Sequence, residues 1–314
     1  MRAIAAETFG GPIALTDLPT PEIGAGEVLV RVRAAGVNPF DWKVADGALK
    51  DQMKHHFPLI PGFDAAGVIE RVGADVSELA EGDEVYAYLF KPVIGGGTYA
   101  EYVGAPATIL ARKPVTVGFA EAAALPTPGL TAMDLVDAAD IREGETILIV
   151  GATGGVGSYA TQLAARRGAR VIATASRTNE ALVRELGAGE TIDHTTEDLV
   201  DAVQMAHPGG IEAVIDVVSD RETLGRVSTL VNEGGRLASS VYAADVEKLA
   251  KRGIVGTNVS MQPGARRLKE LSRMVDAGEL AVRLDHTFPL ESAPEALEQR
   301  RIGTVRGKIV LLLD

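Results

Sequence analysis

Thr146-Ile147-Leu148-Ile149-Val150-Gly151-Ala152-Thr153-Gly154-Gly155-Val156-Gly157 is the stretch that decides the fold. It opens as an apolar strand and breaks into a glycine-rich turn. It then continues with Val156, Ala160, Leu163 and Ala164 on one side of a helix. A strand, a glycine turn and a helix in that order are the context in which a dinucleotide pyrophosphate is held. Gly154 lets backbone approach the phosphates, and Gly157 lets helix and strand come close. The helix N-terminus offers unpaired N–H groups and the positive end of its dipole. The pattern is imperfect, because Ala152 stands where G-x-G-x-x-G has its first glycine. Ordinary tight turns carry glycines too, so the context rather than the spacing favours a cofactor.

Outward from this stretch the chain alternates. Apolar runs at 170–175, 213–218 and 235–239 read as strands, and 156–167, 179–187 and 221–231 carry helical spacing. That alternation predicts a parallel sheet with helical crossovers. The runs are near-continuous in apolar residues, as strands covered on both faces are. Helical spacing also marks 131–139 upstream and 265–277 downstream.

The first 110 residues differ. Val28–Arg33, Val68–Val72 and Glu84–Tyr88 are short β-type runs bounded by Gly or Asp, which predicts a small barrel. After 278 the chain turns β again, at His286–Leu290 and Lys308–Leu313, around a short helix near 293–300. The expected division is a barrel domain over 1–118 and 279–314, with a doubly wound α/β domain over 119–278.

The tip of the second strand bears on the choice of dinucleotide. NAD enzymes place an acid there, about 20 residues past the first glycine, on the ribose hydroxyls. Here the strand runs into Ser176-Arg177-Thr178-Asn179, with no acid. Ser176 can hydrogen-bond a 2′-phosphate and Arg177 can pair with it, so NADPH is expected over NADH.

Composition narrows the partners. The 314 residues are 46% hydrophobic and 24% charged, with a net charge of -12. An acidic chain without a basic stripe argues against nucleic acid. No stretch approaches the ~18 apolar residues of a membrane span. Met1–Glu7 lacks the apolar run of a signal peptide. There is no cysteine, which excludes disulfides and thiolate catalysis and fits a cytoplasmic protein. The five histidines lack metal-like spacing. His55-His56 reads as a surface loop and Gly95-Gly96-Gly97 as a flexible connector.

Several spaced motifs extend the reading to the whole chain. They are Gly36-Val37-Asn38-Pro39-Phe40-Asp41, Pro61-Gly62-Phe63-Asp64-Ala65-Ala66-Gly67, Val72-Gly73 and Gly82-Asp83-Glu84-Val85. Ala124-Leu125-Pro126, Gly129-Leu130-Thr131-Ala132, the glycine turn and Gly307-Lys308-Ile309-Val310 follow in order. In these the chain resembles the medium-chain dehydrogenase/reductase superfamily, and within it the zinc-free quinone oxidoreductases related to zeta-crystallin. The resemblance implies a GroES-like β-barrel domain and a Rossmann domain, and a homodimer. It implies hydride transfer from NADPH to a quinone or an α,β-unsaturated carbonyl. An enoyl-thioester reductase and a non-catalytic NADPH sensor are the alternatives. Where zinc-dependent members carry Cys, His and Cys, this chain offers Asn38, Phe63 and Thr127. Without a Lewis acid, alcohol oxidation lacks alkoxide stabilisation.

The residues expected at the reaction are Asn38, as a donor to the developing oxyanion, with Asp41 and Trp42 in the same loop. A structural hydrogen bond is expected of Asp64. Contact with the cofactor is expected from Asn38, Thr127, Thr131, Thr153, Gly154, Gly155, Val156, Ser176, Arg177, Val217 and Lys308. No metal site is expected.

Overall fold

A computed structural model describes residues 1–303 and 305–313. The chain divides into two compact units, Met1–Thr127 with Pro263–Asp314, and Pro128–Gln262. The expected boundaries at 118/119 and 278/279 therefore move. Helix Ala265–Asp276 goes with the first unit, where the carbonyl of Leu268 accepts a hydrogen bond from the Tyr86 hydroxyl.

In the second unit six strands form one parallel sheet. Its order is Glu190–Ile192, Arg170–Thr174, Thr146–Val150, Ile211–Asp216, Val231–Ser239, Val255–Asn258. In chain order this is 3-2-1-4-5-6, the doubly wound order whose reversal point lies between the first and fourth strands. Thr146–Val150 is buried throughout, because helices cover both faces. Two of these strands, Glu190–Ile192 and Val255–Asn258, do not stand out in the sequence, being three and four residues long. Helix Leu199–Ala206 is also easily passed over. Its start is nevertheless written in the sequence, since Asp198 caps it by accepting from the N–H groups of Val200 and Asp201.

In the first unit the organising element is the 11-residue strand Glu27–Val37. It pairs with Asp64–Val72 along its length. On its other side it pairs first with Tyr102–Pro106 and then with Lys308–Leu312. Register shifts at Leu29/Val30 and Val32/Ala34 mark where the ladder bends, and such irregularities sharpen strand twist. The C-terminal strand thus closes against the middle of the N-terminal segment, which puts Lys308 beside residue 37.

Two loop expectations are corrected. His55-His56 lies in strand Lys54–Ile60, paired in parallel with Val93–Gly96. Gly95-Gly96-Gly97 is accordingly no loose connector. Gly95 and Gly96 end that strand, and a Cβ on Gly97 would stand 2.2 Å from the Pro61 carbonyl oxygen. Glycine is needed there for close packing, not for flexibility.

Candidate active site

Asn38 is the N-cap of helix Pro39–Ala45, with extended φ −128 and ψ 155. Pro39 at the first helical position presets the helical φ. The Asn38 N–H donates to Asp41 Oδ2 at 2.7 Å, the reach-back half of a capping box. The Asn38 side chain is thereby free to leave the helix, and it does so. Its Nδ2 donates to Asp64 Oδ2 at 2.9 Å, and its Oδ1 accepts from Lys308 Nζ. Lys308 Nζ also donates to the Val37 carbonyl at 2.9 Å and lies 3.9 Å from Asp64 Oδ2. Thr127 completes the group, donating to Asp64 Oδ1 from its N–H at 3.0 Å and its hydroxyl at 2.6 Å.

This network is almost dry. Asp41 and Asp64 are 0% exposed, Lys308 3% and Asn38 4%. An ammonium has no acceptor and a carboxylate no donor, so Lys308 and Asp64 hold the Asn38 amide one way round. One of its two amide hydrogens goes to Asp64.

Burial raises the Asp64 carboxyl, opposed by Lys308, Thr127 and Asn38. Burial also pushes Asp41 up to about 7, against hydrogen bonds from Tyr99 and Asn38 and with the Asp64 charge adding to the rise. Lys308 is pulled down to about 8 by burial, with Asp64 opposing. Two acids share one lysine in a dry site, and a proton on Asp41 neutralises the group. Asp41 Oδ2 also accepts from the fully buried Tyr99 hydroxyl at 2.7 Å, while Oδ1 has no hydrogen-bond partner among the described residues.

Beside this network stands a group of rings whose assembly the sequence analysis did not foresee, although it named Phe40 and Phe63 singly. Phe63, next to Asp64, has ring centroids 5.0 Å from Phe40 and 5.9 Å from both Tyr88 and Phe90. Tyr88 and Phe90 stack within 2° of parallel. The charges of Asp64 and Asp41 add to burial in raising the Tyr88 phenol, which puts that ring close to both. The alternation Tyr86-x-Tyr88-x-Phe90 was the available signal.

Other expected residues take the following places. Trp42 is half-buried on the contact between helices Pro39–Ala45 and Ala293–Ile302. Its ring lies 6.0 Å from the Arg301 guanidinium, which pairs with Asp46. Asp41 and Lys308 lie beneath Asn38, where they hold it. Thr131 is buried one turn after Thr127 on helix Pro126–Ala138.

In the second unit, Gly151 takes φ +89 as the chain leaves strand Thr146–Val150, and its N–H donates to Thr174 Oγ1. Gly154 is the N-cap of the 12-residue helix Gly155–Arg166. A Cβ on Gly154 would meet nothing nearer than the Gly151 carbonyl oxygen at 3.6 Å. A Cβ on Gly157 would strike that same oxygen at 2.1 Å. The turn is therefore tight on the protein side at Gly157 and open at Gly154. Thr153 and Val156 are half-buried and Gly155 buried along it. Val217 arrives at the same point, its N–H donating to the Val150 carbonyl at 3.2 Å.

Ser176 and Arg177 stand just past the next strand's end, Ser176 half-buried and Arg177 exposed. One acid does come near, and the sequence analysis missed it. Asp193, just after strand Glu190–Ile192, accepts from the Arg177 N–H at 3.0 Å. Its other oxygen is taken by Thr195.

Comparison with known proteins agrees with this fold. The alcohol dehydrogenase GroES-like domain family matches residues 24–115, and the family described as zinc-binding dehydrogenase matches 186–311. The chain is 32% identical to a chloroplast envelope quinone oxidoreductase homolog of Arabidopsis thaliana, over 99% of this chain and 98% of that one. It is also 32% identical to an NADPH-dependent alkenal/one oxidoreductase of the same plant, over 99% of this chain and 79% of the relative. The quinone oxidoreductase of Coxiella burnetii superposes with a TM-score of 0.90 at 31% identity, covering 100% and 99% of the two chains.

Proposed function

The chain belongs to the quinone oxidoreductase family of medium-chain dehydrogenases/reductases, and from that premise we propose that it reduces quinones and α,β-unsaturated carbonyls with NADPH. The observation that carries the reading is the Asn38 amide, locked by Lys308 and Asp64 next to the Phe40–Phe63 rings. A planar conjugated acceptor fits against such rings. Asn38 has one amide hydrogen left for the oxygen on which charge develops. The open turn at Gly154 and the N–H groups of the first helical turn suit a pyrophosphate. When bound, NADPH supplies the hydride.

Thr153, Gly155 and Val156 line the phosphate cradle, and Ser176 and Arg177 take the 2′-phosphate. Val217, Thr127 and Thr131 are assigned to the rest of the cofactor. Asp41, Lys308 and Asp64 are positioning residues, acting through Asn38. The product oxygen takes its proton from solvent, so no dedicated acid is needed.

The testing experiment is an acceptor screen that follows loss of NADPH absorbance with a benzoquinone, an alkenal, an enone and an enoyl thioester. A secondary alcohol with NADP⁺ is run alongside. Turnover of quinone or enone with little alcohol oxidation is the expected result. Binding of NADPH without turnover of any acceptor would instead mark a sensor.

Arg177→Ala is expected to erase most of the preference for NADPH over NADH. A charge-assisted hydrogen bond to phosphate is worth about 1.5–3 kcal/mol, or roughly ten- to a hundred-fold in affinity. Equal affinities of the unsubstituted protein for the two cofactors, by fluorescence titration, would remove the basis for the 2′-phosphate assignment.

A homodimer suits the sheet. Val255–Asn258 pairs only with Val231–Ser239 among the described strands and carries the exposed Val255, and an unprotected edge of this kind invites a second copy. No helix among the described residues is long and apolar enough to cross a membrane. The cysteine-free chain suits the cytoplasm.

A further inference from the structure

A second feature of the first unit stands apart from the Asn38 network. A cavity of about 330 Å³ is walled by Leu18, Pro21, Pro58 and Tyr102, with His56 and Lys91 also at its surface. Lys91 is unusual among the nine lysines of the chain. Six of them are exposed, leaving Lys91, Lys113 and Lys308. Lys308 is consumed by Val37, Asn38 and Asp64. Lys113 is held by the carbonyls of Pro114 and Val117 and by Glu84. Lys91 has one hydrogen-bond partner, the Gly104 carbonyl at 3.1 Å, and no ion pair among the described residues.

Its surroundings favour the free amine. Burial lowers the Lys91 ammonium, with only the Glu27 charge opposing. Burial and the Lys91 charge together lower His56, so that ring stays neutral beside it. A Cβ on Gly96 would sit 3.2 Å from Lys91 Nζ and 3.8 Å from His56 Cε1, so glycine there leaves room around both groups. An anion is a poor occupant, because Glu22 and Glu27 also border the cavity. A small neutral molecule with an alkyl tail suits the walls. The chain has no thiol to intercept a soft electrophile, which leaves its amines and imidazoles.

We infer that Lys91 is a covalent capture site for α,β-unsaturated aldehydes, which it takes by conjugate addition. The Nζ lone pair forms a bond to the β-carbon while the C=C pair moves onto the α-carbon and carbonyl oxygen as an enolate. One proton leaves nitrogen and one arrives at the α-carbon, with His56 placed to carry it. Nothing is oxidised or reduced, no water is lost, and the adduct keeps the aldehyde. The electrophile class is taken from the proposed function, but the addition needs no NADPH, so the two can fail separately.

The test is incubation of the full chain with crotonaldehyde in the absence of NADPH, followed by intact mass and peptide mapping. The first equivalent should add the whole mass of the aldehyde at Lys91. Lowering a lysine's pKa raises its free-amine fraction at neutral pH, and burial lowers that of Lys91, so Lys91 should react faster than the exposed lysines. Lys91→Arg should lose the first adduct and leave the slower ones unchanged, with folding checked by thermal melt. Gly96→Ala, which crowds Nζ but retains the amine, should slow the reaction. First-equivalent labelling of an exposed lysine or of His56, or a Schiff-base mass short by one water, would overturn the assignment.

Discussion

Gly154→Val is expected to weaken NADPH binding by at least about a hundredfold, equivalent to ~2.7 kcal/mol, in a protein that still folds. The argument has two sides. On the protein side there is room, since the nearest atom to an added Cβ is 3.6 Å away. Gly154 has φ −79 and ψ 175, which any residue adopts, so valine there carries no backbone strain. On the ligand side the new methyl groups occupy the space in front of the helix N–H groups. A hydrogen bond from such a group to a charged oxygen is worth about 1.5–3 kcal/mol, and holding the phosphates away loses more than one.

Gly157→Val provides the contrast. Its Cβ would lie 2.1 Å from the Gly151 carbonyl oxygen, so the helix must move off the strand. Overpacking of this kind costs about 1–3 kcal/mol or more, and the melting temperature should fall along with cofactor binding. Circular dichroism melts and fluorescence titration of both variants separate the two roles. A folded Gly154→Val protein with unchanged NADPH affinity would show that the turn does not hold the pyrophosphate.

Lys308→Met should be the most destabilising single change at the Asn38 network. It leaves the buried Asp64 without its countercharge and Asn38 Oδ1 without its donor. Breaking a buried pair from one side typically costs about 3–5 kcal/mol. The loss should depend on pH with a definite sign. Without Lys308, Asp64 in the folded state rises further above its ordinary value, while the unfolded chain keeps that value. Above the unfolded value the folded state then holds the extra proton, so stability falls as pH rises, by up to ~1.4 kcal/mol per unit. Urea denaturation at about pH 5 and about pH 8 should show the deficit growing with pH. Adding Asp64→Asn should recover part of it, because no carboxylate is then left to ionise. A deficit equal at both pH values, or unrelieved in the double variant, would mean that Lys308 packs there without balancing charge.

The doubly wound sheet and its glycine turn were legible in the sequence because they depend on local order. An apolar run, a glycine turn and helical spacing follow one another within the 19 residues 146–164, and the sheet is built by repeating strand and helix. Ser176 and Arg177 were readable for the same reason, since they end a strand whose length the pattern shows. Asp193 was not, because it reaches Arg177 from the end of a different strand, 16 residues on.

The Asn38 network shows the limit more sharply. Its motifs mark Asn38, Asp64, Thr127 and Lys308 one by one, yet the partners lie 26 to 270 residues apart. The sequence analysis set Asp41 at the reaction together with Trp42, in one loop. The structure buries Asp41 under Tyr99 and turns Trp42 toward Arg301.

By itself the sequence determined the two-part α/β architecture, the glycine turn between strand and helix and the absence of thiol chemistry, because composition and short-range periodicity carry them. Only the tertiary structure decided which polar groups are dry, which are paired and which rings adjoin them. Strand Glu27–Val37 receives Asp64–Val72 and Lys308–Leu312 as neighbours, and sheet register brings their side chains together. Desolvation and charge pairing depend on distance in space, and distance along the chain does not encode it.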